Sequence, residues 1–127
     1  MNLIDSLKTH LLANVEYLRK NPDRLLVFVE KGALVWMGAG LSHEQHYTAI
    51  VEIDEWPNLD PNLAMLPILE WFQENQDPVV KEDPTLITFE TYILSNKTTT
   101  VVISIKLQEA VIATKTIDGY ESNYCPA

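Results

Sequence analysis

His43-Glu44-Gln45-His46 sets two imidazoles beside a carboxylate, the side-chain set with which a zinc hydrolase activates water. That chemistry needs the two histidines at i and i+4 on one helical face, with the glutamate next to the metal. Here they are three apart in a segment predicted to be a strand, a spacing that turns the rings to opposite faces. The expectation is a pair of ordinary strand-edge histidines and no metal. A second cluster, Glu52, Asp54, Glu55 and Asp60, brackets Trp56-Pro57-Asn58. Paired carboxylates do acid–base work when their environments split their pKa values. This cluster has none of the spacings of a glycosidase, an aspartic protease or a calcium loop. A solvated face is the plain expectation. The alternative is a small intracellular binding or regulatory domain, or an enzyme, that uses the acidic loop 52–60. Gly-x-Ser-x-Gly, a Walker loop and Gly-x-Gly-x-x-Gly are all absent, so the commonest hydrolase and nucleotide sites are not encoded. Cys125 stands near the chain end with no second cysteine to bridge to, and Asn96-Lys97-Thr98 is a glycosylation sequon without a secretory signal. No catalytic residue, cofactor or metal ligand is expected.

What remains is recognition, and the candidates are Trp36, Trp56 and Trp71, since tryptophan is enriched at binding hot spots as well as in cores. Trp71 is favoured for a partner surface because it lies at the margin of its helix's apolar stripe. That helix spans Asp60 to Gln76, with Asp60 as N-cap and Pro61 in the first turn. At about 100° per residue, Met65, Ile68, Leu69 and Phe72 share one face, flanked by Leu66 on one side and by Ala64 and Trp71 on the other. Leu63 falls between Glu70 and Glu74 on the wet side. A helix apolar around most of its girth needs cover on more than one side, which adds Leu63 and Leu66 to the interface candidates. Pro67 removes a hydrogen bond to Leu63 and is expected to kink the helix, leaving Pro67 to Asn75 as its dependable part.

Before that helix, Ile4, Leu7, Leu11, Val15 and Leu18 fall in one stripe, predicting an amphipathic helix from Leu3 to about Lys20, closed by Asn21-Pro22-Asp23. Residues 25–31 and 34–37 look like two strands joined by a turn at Gly32-Ala33. A third strand is predicted from about Glu44 to Asp54, with Tyr47, Ala49, Val51 and Ile53 on one face. Gly38 and Gly40 suit a bend between strands. Residues 55–60 and the proline-punctuated run 77–84 are loops. Ile87, Phe89 and Ile93 mark strand four, a turn follows at Ser95-Asn96-Lys97-Thr98, and Val101, Ile103, Ile105 and Leu107 mark strand five, which extends to about Ala113 with a slip after Glu109. From Asp118 onward, residues 118–127, the chain is expected to be a loose tail. The fold class is α+β: a mainly antiparallel sheet of about five strands with two helices packed on it, in the order α-β-β-β-α-β-β.

A chain of 127 residues is one domain by default and buries enough surface to need no disulfide or metal. Its hydrophobic fraction of 46% is broken everywhere by charge, so no segment reaches the run of about 20 apolar residues that a membrane helix needs. The N-terminus has no signal-peptide pattern, which points to intracellular synthesis. A net charge of −9 opposes nucleic acid as a ligand and favours solubility.

Taken together, Tyr17-Leu18-Arg19, Asn21-Pro22-Asp23-Arg24-Leu25, Phe28-Val29, Gly32, Leu41-Ser42, Tyr47, Pro67-Ile68-Leu69-Glu70-Trp71 and Glu74-Asn75-Gln76 resemble the phage tail completion protein R family. Phe89-Glu90, Ile93-Leu94 and Leu107-Gln108-Glu109-Ala110-Val111 continue the likeness, in the same order and with similar spacing. Residues 56–60 and 98–100 depart from it. The resemblance implies a structural, non-enzymatic protein of contractile-tailed phages or prophages, found in the virion tail and in the host cytoplasm during assembly. It implies capping of the tail tube and competence for head joining. The implied partners are the tail tube protein and other tail or neck proteins, with a homo-oligomeric ring by analogy with tail terminators, and with no membrane and no sequence-specific nucleic acid.

Overall fold

The computed structural model describes residues 1–76, 83–95 and 97–125. Most of the expected loop 77–84, Asn96 of the sequon turn and the last two residues lie outside the described residues. The elements are α1 (Asn2–Asn14), α2 (Glu16–Lys20), a 3-10 turn (Pro22–Arg24), β1 (Leu25–Val35), β2 (His43–Trp56), α3 (Asn62–Asn75), β3 (Ile87–Ile93), β4 (Thr99–Thr116) and β5 (Gly119–Cys125). They build an α+β domain on a five-stranded antiparallel sheet, ordered β1-β2-β4-β3 with β5 also on β4.

The single amphipathic helix expected over Leu3–Lys20 is two helices. Val15 between them has φ −112° and ψ 108°, extended geometry that suits a β-branched residue. The break leaves carbonyls open, and side chains close them: Asn14 Nδ2 donates to His10 O at 2.9 Å and an Arg19 guanidinium nitrogen to Ala13 O at 2.8 Å. The stripe survives the break, because Leu7, Leu11, Val15 and Leu18 are all buried.

The expected turn at Gly32-Ala33 is not there. β1 runs straight through it and pairs with β2 from Leu25↔Ile53 to Val35↔Glu44, with a bulge between Val29 and Lys31. Glycine serves close approach here. A Cβ on residue 32 would lie 2.9 Å from the Tyr47 Cβ and 3.2 Å from the His46 carbonyl. The true β1–β2 connection is 36–42, where Gly38 (φ +88°) and Gly40 (φ +68°) take the left-handed conformations that glycine tolerates.

β4 is the spine. Its inward residues Val101, Ile103, Ile105 and Leu107 are buried as the alternation predicts, against Ala49, Val51 and Ile53 of β2 and the apolar faces of α1, α2 and α3. The expected slip after Glu109 does not occur: Glu109 and Val111 continue the buried parity. One edge of β4 meets β2. The other edge is shared end to end by β3, along 99–105, and β5, along 110–116. The Gln76 carboxamide bridges the gap between them, accepting the Gln108 N–H at 3.2 Å and donating to the Gln108 carbonyl at 3.4 Å. One side chain thus stands in for a missing piece of strand. The loose tail expected over 118–127 is, through Cys125, strand β5, paired from Thr116↔Gly119 to Ala110↔Cys125.

Candidate assembly interface

The N-cap of α3 is Pro61 rather than the expected Asp60, whose Oδ1 accepts the Asn62 N–H at 2.9 Å from one residue earlier, and one helix continues through Pro67 to Asn75. The buried arc of α3 is Ala64, Ile68, Trp71 and Phe72, rotated from the expected Met65-Ile68-Leu69-Phe72 stripe. Two neighbours, α1 on one side and the sheet below, set the rotation.

That rotation decides Trp71. Trp71 is 1% exposed, and its indole N–H donates to Ser6 Oγ at 3.0 Å, so it pins α3 to α1 and has no surface to offer a partner. Trp56 is likewise buried: its N–H donates to Asp60 O at 3.1 Å and its ring meets Tyr17 edge-on, centroids 5.7 Å apart. Both are core residues in this chain. Trp36, Leu63 and Leu66 are on the surface, Trp36 held at the β1–β2 connection by donation to Gly40 O at 3.1 Å.

The acidic loop is dispersed among separate structural tasks. Glu55, at φ 51°, pairs with Arg24 at 2.9 Å while its carbonyl accepts the Tyr17 hydroxyl at 2.7 Å. Asp60 closes the turn into α3 by accepting the Asn62 N–H, and Glu52 lies on the sheet face opposite the helices, where the register aligns Leu26, Glu52, Val102 and Glu90 across four strands. The histidines are equally occupied. His43 Nδ1 donates to Leu41 O at 2.9 Å, and His46 Nε2 contacts Glu44 Oε2 at 2.8 Å. No group of three metal-binding side chains occurs among the described residues.

Glu109 is a buried structural carboxylate whose place in the fold the sequence reading missed. It is 6% exposed, and its Oε1 accepts the Leu3 N–H at 2.5 Å at the positive end of α1. Burial, and then the Glu109 carboxylate beside it, push the Tyr47 phenol above its ordinary range. The signal was present in the alternation Val101 to Val111, whose parity puts residue 109 inside.

Exposed apolar surface gathers in two places. On α3 and the neighbouring β3, Met65, Leu66, Leu69 and Phe89 line a groove of about 370 Å³ with Asp83 in its lining. At the far end of the sheet, β4 and β5 continue past β2, whose last contacts are His43↔Val111 and Ser42 Oγ accepting the Ala113 N–H at 3.1 Å. This hairpin arm carries Ile117, wholly exposed at its tip, and Tyr120, 75% exposed. Leu34, Trp36, Met37 and Leu41 are exposed on the β1–β2 hairpin at the same end. No helix among the described residues is long and apolar enough to cross a membrane.

Comparison with known proteins places this arrangement. Residues 1–127 match the family model described as P2 phage tail completion protein R (GpR). The tail completion protein R of Escherichia phage P2 is 32% identical over 119 residues, which cover 91% of this chain and 76% of that protein. No solved structure matches. With its entire length inside the family model and a relative matched over most of both chains, the chain belongs to the phage P2 tail completion protein R family.

Proposed function

We propose that this protein completes a phage tail: it caps the finished tail tube and makes it competent to join the head. The observation that carries this is the match of the whole chain to the tail completion family. The structure supports a role in assembly through what it exposes, two separate apolar surfaces on one small domain, where the acidic loop offers no converging polar groups. A cap on a cylindrical tube is naturally a ring. Ring closure needs a heterologous contact, with a donor patch on one side of each protomer and an acceptor on the other. The partners are then other copies of this chain, the tail tube protein and neighbouring tail or neck proteins, met in the host cytoplasm and retained in the virion tail. Glu30, Glu52 and Glu90 on the sheet face opposite the helices, in a chain of net charge −9, suit a lumen that repels passing DNA rather than holding it. A phage with an inactivating change in this gene is expected to accumulate free heads and free tails. Joined particles at the normal yield would refute the proposal.

A further inference from the structure

Among the described residues, the β4–β5 arm and the α3–β3 groove are both exposed and apolar, and they differ in shape. The arm is convex. Beyond Ala113 its own ladder, Thr114↔Glu121, Lys115↔Tyr120 and Thr116↔Gly119, is the strand pairing among the described residues. Because Lys115 and Tyr120 are directly opposite each other, the cation and the exposed ring share one face of the arm, with Ile117 at the tip and Glu121 on the other face. The groove is concave and apolar at Met65, Leu66, Leu69 and Phe89, and its lining includes the Asp83 carboxylate, held by Thr85 and 3.8 Å from the Lys106 ammonium.

An arm cannot fill its own groove. Ile103, at the groove floor, and Thr116, at the arm tip, stand on the same strand thirteen residues apart, roughly 40 Å at 3.3 Å per residue. We propose that the arm of one protomer seats in the groove of a second copy of this chain, Tyr120 and Ile117 against Leu66, Leu69 and Phe89, with Lys115 facing Asp83. A second copy is the fitting occupant because knob and slot are on the same chain. The arm's lysine also matches the groove's carboxylate in a protein whose copies otherwise repel one another at net charge −9. The contact is heterologous and leaves a free arm at one end and a free groove at the other, so it propagates until a ring closes. It deepens the proposed tail-capping role and rests on it for its biological meaning, though the contact itself is testable alone.

The test uses the full chain with Cys125→Ser to remove the exposed native thiol. Ile117→Cys combined with Leu66→Cys is expected to yield, on mild oxidation, a ladder of covalent oligomers beyond the dimer. Either cysteine alone is expected to give nothing larger than a dimer. A double variant with no product larger than those of the single variants overturns the proposal, whether light scattering finds the protein associated or monomeric. Charge exchange supplies an independent arm: Lys115→Asp and Asp83→Lys should each weaken self-association about tenfold, and their combination should restore it, with thermal melts confirming that each variant folds. Association of the combined variant no stronger than that of either single one counts against the contact. Head–tail joining by the unaltered chain is scored separately, so a missing ladder with normal joining removes the arm–groove contact and leaves tail completion standing.

Discussion

Trp71 shows how a single indole can be placed on the wrong side of an interface. Its N–H bond to Ser6 and its 1% exposure make it the residue that locks α3 to α1. Trp71→Ala should therefore cost about 3–5 kcal/mol of folding stability, seen as a lower midpoint in denaturant, with no change in the mass of the folded protein. Gly32→Ala tests the close approach of β1 to Tyr47. The 2.9 Å Cβ–Cβ contact it would create forces the strands apart and should cost about 1–3 kcal/mol. Tyr47 also carries a pH signature. Its phenol is raised above its ordinary value of 10.0 first by burial, so the unfolded chain releases that proton near pH 10 while the folded chain keeps it. The corresponding stability is complete below pH 10 and is lost as pH rises above it. In urea titrations from pH 9 to 11, Tyr47→Phe should flatten the alkaline loss of stability. An unchanged slope would mean that the phenol is not the group responsible.

At the level of elements, what was legible in the sequence followed from alternation, and what was not followed from contacts distant in the chain. Val101 to Leu107 alternate cleanly and Tyr47 to Ile53 keep one apolar face despite the buried Ile50 on the other, so both central strands and their inner faces were readable. Gly32 misled because a glycine between apolar runs is the ordinary mark of a turn, and only the presence of Tyr47 across the ladder explains it otherwise. α1 broke at Val15 because Asn14 and Arg19 could cap the open carbonyls, a local competition that the helical stripe conceals. The end of the chain was missed for a different reason: Gly119–Cys125 has no aliphatic residue of its own and is a strand because β4 runs long enough to template it. The surface candidates divided in the same way, since Trp36, Leu63 and Leu66 lie outside while Trp71 is turned inward by the rotation of α3 and Trp56, at the end of β2, packs against Tyr17. Gln76 belongs to this scale too. Gln76→Ala removes both bonds to Gln108 and should speed hydrogen exchange at the Gln108 amide by about an order of magnitude while costing roughly 1 kcal/mol. Exchange at the wild-type rate would show that β3 and β5 need no bridge.

For the whole molecule, the helices cover one face of the sheet, Glu30, Glu52 and Glu90 lie on the other, and the apolar surfaces are displaced to the α3–β3 side and to the hairpin end. That distribution suits a part made to be surrounded by other parts, and membership of the tail completion protein R family says which assembly it belongs to. The most direct test is particle morphology and infectious yield in lysates of a phage whose own copy of this gene is inactivated, with and without the chain supplied in trans. The account predicts unjoined heads and tails without it and joined, infectious particles with it. Joined particles in its absence, or free heads and tails that persist when it is supplied, would contradict the account.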